Sequence, residues 1–156
     1  MKRTKPRLIL CVSLLIAILA FIWGNSAMPG EESGQFSGWV GQILCKLLPF
    51  LNLNDGNGMY IIRKLAHFSE FAALGMTFSW LFGMITDRPI RQWLLPLGCG
   101  VAVACIDETI QIFSPGRYSS IKDVTIDAAG VFTGIILLFL GYAIFKKLHH
   151  KQEEHA

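Results

Sequence analysis

The chain has 156 residues, of which 53% are hydrophobic and only 16% are charged, and its formal net charge is +3. A soluble domain of this length needs more charged residues to cover its surface, so the composition excludes an ordinary soluble protein. The basic residues stand in short flanks beside apolar runs, which argues against nucleic acid as a partner. We therefore expect an integral protein of the lipid bilayer.

Four apolar runs approach the roughly 20 helical residues that cross a hydrocarbon core of about 30 Å. They cover residues 8–23, 66–85, 94–113 and 126–145. These runs predict an all-α fold, a bundle of four transmembrane helices within a single membrane domain over residues 1–156. The first run also fits a signal peptide cleaved after Ala27, although we favour an uncleaved anchor.

The distribution of lysine and arginine predicts the orientation, because short cytoplasmic loops carry the excess of both. With the amino terminus inside, the inner flanks collect nine such residues: Lys2, Arg3, Lys5, Arg7, Arg88, Arg91, Lys146, Lys147 and Lys151. The outer side holds five: Lys46, Arg63, Lys64, Arg117 and Lys122. Both termini are thus predicted to be cytoplasmic.

The first outer loop, residues 24–60, is long. It opens with the turn-rich stretch "GNSAMPGEESG", and apolar residues then recur at helical spacing. These are Phe36, Trp39, Val40, Ile43, Leu44, Leu47, Leu48 and Leu51. We expect an amphipathic helix at the membrane interface that packs on the bundle or, alternatively, covers an outer pocket. The stretch "LNLNDGNG" is expected to end it.

The four cysteines, Cys11, Cys45, Cys99 and Cys105, form no CxxC pair and show no metal-ligand spacing. Three of them lie in lipid-length runs, where cysteine behaves as a small apolar residue. They report nothing about redox compartment. The sequence names no metal-site residues and leaves any cofactor unknown.

Polar residues cluster where the second span begins and the third ends. In "RKLAHFSEFAALG", residues 63–75, the spacing of Arg63, His67 and Glu70 places them on one helical stripe. In "CIDETIQIF", residues 105–113, Asp107, Glu108 and Gln111 share an arc of roughly 100°. Antiparallel spans bring both groups to the outer side. Acids at that depth are costly in lipid, so we predict that they face one another, a cation or a pocket.

The fourth span carries a stripe of small and acidic residues. Its members are Asp123, Asp127, Gly130, Gly134 and Gly141. Close helix contact along the Gly130–Gly134 GxxxG pair would present both aspartates to the bundle interior. Asp123 has an alternative role as the N-cap of the last helix.

The catalytic candidates are His67, Glu70, Asp107 and Glu108. His67 would act as general base or acid and Glu70 would orient it, while Asp107 and Glu108 would hold a divalent cation or polarise the substrate. The alternative is structural ion pairing of Glu70 and Asp107 with Arg63 or Arg117.

The substrate-binding candidates are Arg63, Lys64, Gln111, Arg117, Asp123 and Asp127. Arg117 follows a Pro-Gly turn and suits bidentate recognition of phosphate. It can equally anchor the chain at the interface or pair with Glu108. Arg63 and Lys64 can anchor their helix at lipid headgroups, and Gln111 can bridge two helices.

The two quoted motifs, extended to "DETIQIFSPGRYSSIKDVTIDAAGVFTG" (residues 107–134), closely resemble the VanZ family of bacterial membrane proteins. The stretch "NSAMPGEESGQFS" resembles that family's Ser/Pro-rich outer segment. One departure is visible, since this chain has Asp127 where the family usually has asparagine. The resemblance implies a bacterial inner-membrane protein of the cell envelope, in a family named for a member linked to resistance to the glycopeptide teicoplanin.

Three classes of function stay open. The outer site can bind and modify a lipid-linked or cell-wall precursor, or it can bind such a molecule without turnover. An ion-coupled carrier is the third class, and it is least favoured because the inner half of the bundle lacks buried charge. The sequence names neither the substrate nor the oligomeric state.

Overall fold

The computed structural model describes residues 4–47 and 56–153, and every regular element in those two ranges is a helix. The helices are α1 (Lys5–Ala27), α2 (Gly30–Leu47), α3 (Gly56–Ile85), α4 (Pro89–Ile112) and α5 (Ile121–Glu153). Four segments are long and apolar enough to cross a bilayer: Lys5–Ala27, Tyr60–Ile85, Pro89–Ile112 and Ile121–Leu148. The predicted all-α fold with four spans is confirmed.

The helices extend further than the apolar runs at the end that carries the polar residues. Arg63, His67 and Glu70 lie well inside α3 instead of at its mouth. The predicted turn-rich stretch after the first span shrinks to Met28 and Pro29, because α1 continues to Ala27 and α2 begins at Gly30. An apolar surrounding favours continued helix, which satisfies the backbone internally even where side chains are polar.

A helix does occupy the long outer loop, since α2 covers Gly30–Leu47. Trp39 and Ile43 are 60% and 38% exposed, while the side chains of Phe36, Val40, Leu44 and Leu47 and all of Leu48 and Leu51 lie outside what is described. The interfacial role of this helix stays a prediction. The expected break at "LNLNDGNG" falls mostly outside the described residues.

Helix α3 is the centre of the bundle and packs against the other four helices, most extensively against α5. Glycine makes that approach close: a side chain on Gly134 would overlap the backbone of Ala72, and one on Gly130 the carbonyl of Phe68. Gly141 meets nothing within 4 Å in the described part of the chain. The predicted small-residue contact is therefore confirmed at Gly130 and Gly134 but not at Gly141.

The apolar core lies between α1, α3, α4 and α5. Its fully or nearly buried members are Ile22, Phe71, Leu74, Phe78, Val103, Ala104, Val131 and Ile135. Large apolar side chains also cover the outward faces of the spans, as with Ile16 at 61%, Leu94 at 59% and Phe145 at 61% exposed. In water such faces would be unfavourable, but in a bilayer they meet lipid tails.

Candidate functional site

Polar groups from four helices meet at one end of the bundle, which we call the polar end: residues 25–30, 60–70 and 107–127. Short bonds hold its segments together. The Ser114 hydroxyl donates to the Ser26 carbonyl at 2.8 Å, and the Gly30 amide donates to the Pro115 carbonyl at 2.9 Å. The end of α1, the turn after α4 and the start of α2 therefore form one structural unit.

The end of α4 contributes a buried acid–amide cluster. Gln111 Nε2 donates to Asp107 Oδ2 at 2.9 Å and to Glu108 Oε1 at 3.2 Å. All three side chains are at most 4% exposed. Both of these bonds join Gln111 to residues of its own helix. The bridge between two helices that the sequence suggested for Gln111 is therefore not among them. Glu108 Oε2 accepts from the Ser120 amide at 2.7 Å, so this acid also fixes the turn before α5.

His67 faces α5. Its Nδ1 lies 4.0 Å from Asp127 Oδ1, and Asp127 is 1% exposed. Asp107 from α4 approaches the same point, because one nitrogen of His67 and one oxygen each of Asp107 and Asp127 lie within 4.8 Å of one another. Three helices thus bring an imidazole and two carboxylates together, as the antiparallel placement of the motifs predicts.

Glu70 turns away from this group. Its Oε1 accepts from Asn25 Nδ2 of α1 at 3.3 Å, and it lines a groove between α1 and α3. Three residues of helix advance 300°, so Glu70 points about 60° away from His67 around the axis. The predicted orientation of His67 by Glu70 is therefore not what the structure shows, and Asp127 holds that position instead.

A basic rim lies above the His67 group. Lys64 forms an ion pair with Asp123 and lies over the Tyr60 ring, with Nζ 5.2 Å from the ring centroid. A cavity of about 260 Å³ opens there. Its polar lining is Tyr60, Arg63, Lys64, Tyr118, Ser120, Lys122 and Asp123. A smaller one of about 10 Å³ lies between the rim and His67, Glu108, Gln111 and Asp127.

The two cavities share Arg63, Lys64 and Asp123 in their linings. A wide basic opening therefore adjoins a narrow acidic floor. The floor has room for about one water-sized particle.

Arg117 is buried and bonds to backbone instead of acids. Its Nε donates to the Met28 carbonyl at 3.1 Å and its Nη2 to the Asn25 carbonyl at 2.7 Å. Burial and Arg63 lower the pKa of the guanidinium, and Asp107 partly offsets this. The sequence suggested that Arg117 pairs with Glu108 or binds phosphate at the surface. The structure instead shows a buried side chain that donates to two backbone carbonyls. Arg117 caps the end of α1, whose last carbonyls have no partner within the helix.

Asp123 is not the N-cap of α5. The helix begins at Ile121, and the Ser120 hydroxyl accepts from the Lys122 amide at 3.2 Å. Ser120 therefore caps the helix. Asp123 stands in the first turn, where a negative charge also favours the helix dipole, and pairs with Lys64.

Sequence reasoning missed Asn25, Ser26, Ser114 and Ser120 because it assigned them to loops. Ser26 is fully buried, and Asn25 is the partner of Glu70. A signal was present for the first two: Asn25 and Ser26 follow the buried Ile22 at spacings of three and four, so they continue its helical face. No such period marks Ser114 or Ser120, whose positions depend on the turn.

Several buried polar atoms at the polar end have no hydrogen-bond partner among the described residues. They include Arg63 Nε, Glu70 Oε2, Asp107 Oδ1 and Asp127 Oδ2. Buried polar groups in proteins are nearly always paired, so such atoms mark a place for water, an ion or a ligand. The arrangement can hold a small cation or accept a polar group that enters from the rim.

A family model described as VanZ/LLP1 matches residues 11–145, which include all or most of each of the four candidate membrane helices. A search of curated proteins gave no match, and neither did a search of solved structures. The match includes every group of the polar end, from Asn25 to Asp127, and it agrees with the architecture of a multi-pass membrane protein. The chain belongs to the VanZ/LLP1 family.

Proposed function

We propose that the polar end binds the anionic headgroup of a lipid-linked or cell-wall precursor at the outer leaflet of the bacterial inner membrane. The observation that carries this proposal is the adjoining pair of cavities, wide and basic above, narrow and acidic below. Arg63, Lys64 and Lys122 supply the cations that attract a phosphate or carboxylate. Bundle and bilayer meet there, so a membrane-anchored ligand reaches the rim without leaving the membrane.

The proposed orientation rests on charge. Nine lysines and arginines would flank the cytoplasmic side and five the outer side. Both termini are then cytoplasmic, and the polar end faces outward. The outer leaflet is also where a glycopeptide antibiotic meets the cell-wall precursor, so headgroup binding there would give a physical route to teicoplanin resistance.

The proposal is tested by binding a polyprenyl pyrophosphate to the purified chain in nanodiscs of neutral lipid. Charge-neutralising variants Arg63→Gln and Lys122→Gln should each weaken binding by about three- to tenfold, and added salt should do the same. Arg91→Gln is the matched control because it removes a cation from the opposite end of the bundle. If all variants bind the pyrophosphate equally, or if salt does not weaken binding, the basic rim is not the binding site for the headgroup.

A second candidate, turnover of the bound headgroup, is favoured by His67 facing Asp127 at 4.0 Å. A carboxylate beside imidazole Nδ1 fixes the tautomer and orients the ring for proton transfer at the other nitrogen. Lipid and precursor profiles should be compared for cells that carry the wild-type chain, His67→Ala or no protein. A product that requires His67 indicates chemistry; a resistance phenotype that survives His67→Ala indicates binding without turnover.

A further inference from the structure

We propose that His67, Asp107 and Asp127 bind one divalent metal ion at the floor of the polar end. Each residue comes from a different helix, α3, α4 or α5. One nitrogen and two oxygens nevertheless lie within 4.8 Å of one another. Imidazole and carboxylate are common protein ligands of divalent ions, and the three residues are intermediate or buried in exposure.

A second observation points to a bound ion. Asp107 Oδ1 and Asp127 Oδ2 have no hydrogen-bond partner among the described residues, although the two side chains are 0% and 1% exposed. The Ser26 hydroxyl lies beside Asp107 and can donate to its free oxygen. It can donate only one bond, so it cannot supply the Asp127 oxygen as well. A metal ion would satisfy both carboxylates.

With its acids ionised, the buried part of the polar end carries more negative than positive charge. Apart from the Lys64–Asp123 ion pair, the described carboxylates there are Glu70, Asp107, Glu108 and Asp127. Against them stand the guanidinium groups of Arg63 and Arg117, while Lys122 at the rim is exposed to solvent and is left out of this buried set. Ionised, this set carries two uncompensated negative charges in a poorly solvated place, where unpaired charge is costly. One divalent ion balances them.

The ligand set suits Zn²⁺ or Mn²⁺ better than Ca²⁺ or Cu⁺. Ca²⁺ requires six to eight oxygens, and Cu⁺ prefers sulfur. Ligands at about 2.0–2.2 Å from an ion lie roughly 3–3.5 Å apart. The 4.0 Å between His67 Nδ1 and Asp127 Oδ1 would need to close by about 1 Å, and the widest pair, within 4.8 Å, by up to about 1.8 Å. The cavity beside them leaves room for a coordinated water.

This site goes beyond the proposed function and does not depend on it, because the ion is bound by the protein alone. If the ion is present, His67 is a ligand, and its role as a general base falls to a metal-bound water. The Asp127 carboxylate is essential in this scheme.

The test uses the full chain purified in detergent, stripped with a chelator and reloaded with Zn²⁺, Mn²⁺ or Co²⁺. Metal content should reach about one ion per chain, and Co²⁺ should give a visible ligand-field spectrum. His67→Phe and Asp127→Asn should each lower affinity at least about tenfold and alter that spectrum. Glu70→Gln is the matched control: it removes one buried negative charge, but the side chain bonds to Asn25 of α1 and is no ligand, so only a smaller loss of affinity is expected.

Folding of each variant is checked by gel-filtration profile and thermal midpoint in chelator, where no ion contributes. Asp127→Asn keeps the size and shape of the side chain, so it decides the matter even if His67→Phe fails to fold. A wild-type chain that retains no ion after loading overturns the proposal. So does an Asp127→Asn variant with unchanged affinity and spectrum, or a Glu70→Gln variant that loses as much. Failure of pyrophosphate binding at the rim would leave this result untouched.

Discussion

Helix α3 packs against α5 and against α1 in different ways. Toward α5 the backbones touch through Gly75, Gly130 and Gly134, and no side chain separates them. Toward α1 the contact passes through larger side chains, and a groove of about 390 Å³ remains, lined by Ala17, Ile18, Phe21, Ser69, Glu70 and Ala73. The tight side fixes the His67–Asp127 geometry, whereas the loose side depends on polar bonds at its end.

The largest expected effect comes from separating the tight side. Gly134→Val places methyl groups where the Ala72 carbonyl lies, and backbone cannot move away as a side chain can. We expect the free energy of unfolding to fall by about 1–3 kcal/mol. The contact between His67 and Asp127 should be disrupted as well. Thermal unfolding in detergent measures the change in free energy. Gly141→Val lies on the same helix in open space and should leave the midpoint nearly unchanged; equal effects would mean that the close contact is not what matters.

The next largest effect is expected at Arg117, whose two bonds to the Asn25 and Met28 carbonyls, called the clasp below, hold the end of α1. Arg117→Gln is too short to reach both the Asn25 and Met28 carbonyls. Loss of two charge-assisted hydrogen bonds should lower the free energy of local unfolding at the end of α1 by about 2–4 kcal/mol. Water that enters and bonds to the carbonyls would reduce this loss. Because α1 is the loosely held helix, we expect protease cleavage near Met28 to rise before the bundle unfolds. Lys122→Gln, an exposed cation nearby, is the control. Unchanged proteolysis would show that the clasp does not hold α1.

A smaller effect is expected at Asn25. Asn25→Ala removes the 3.3 Å bond to Glu70, the side-chain bond that joins α1 to α3 at this end in the described structure. Such interhelical bonds in membranes contribute about 0.6 kcal/mol on average and up to about 1.7 kcal/mol. The double variant with Glu70→Ala should therefore show coupling of that size by a double-mutant cycle in thermal or denaturant unfolding. No coupling would mean that the two groups act separately.

The contrast between the two sides also explains what the sequence could and could not reveal. The glycine and aspartate stripe of α5 repeats at helical spacing, so its contact with α3 follows from the pattern, as does the presence of Asp127 in the bundle interior. The direction of Glu70 does not. A shared stripe is wide enough for two residues 60° apart to reach different neighbours, and only the packing of α1 decides between them.

Loop-based contacts were hidden for a different reason. Arg117 reaches carbonyls about 90 positions earlier in the chain, and such a bond leaves no local pattern. Ser120 and Ser114 depend on the turn that Gly116 permits with its positive φ of 72°. The sequence places these residues near the right surface, but their partners are set by tertiary structure.

The smallest effect should come from filling the loose side. Ala73 lines the groove between α1 and α3 and is only partly buried, so Ala73→Leu extends into existing space instead of overlapping backbone. We expect a change in unfolding free energy within about 0.5 kcal/mol, or slight stabilisation as the new methyl groups contact α1. The same thermal assay that shows a large loss for Gly134→Val provides the comparison. A loss of similar size for Ala73→Leu would mean that the larger side chain does not fit the groove. In that case α1 would pack against α3 as tightly as α5 does.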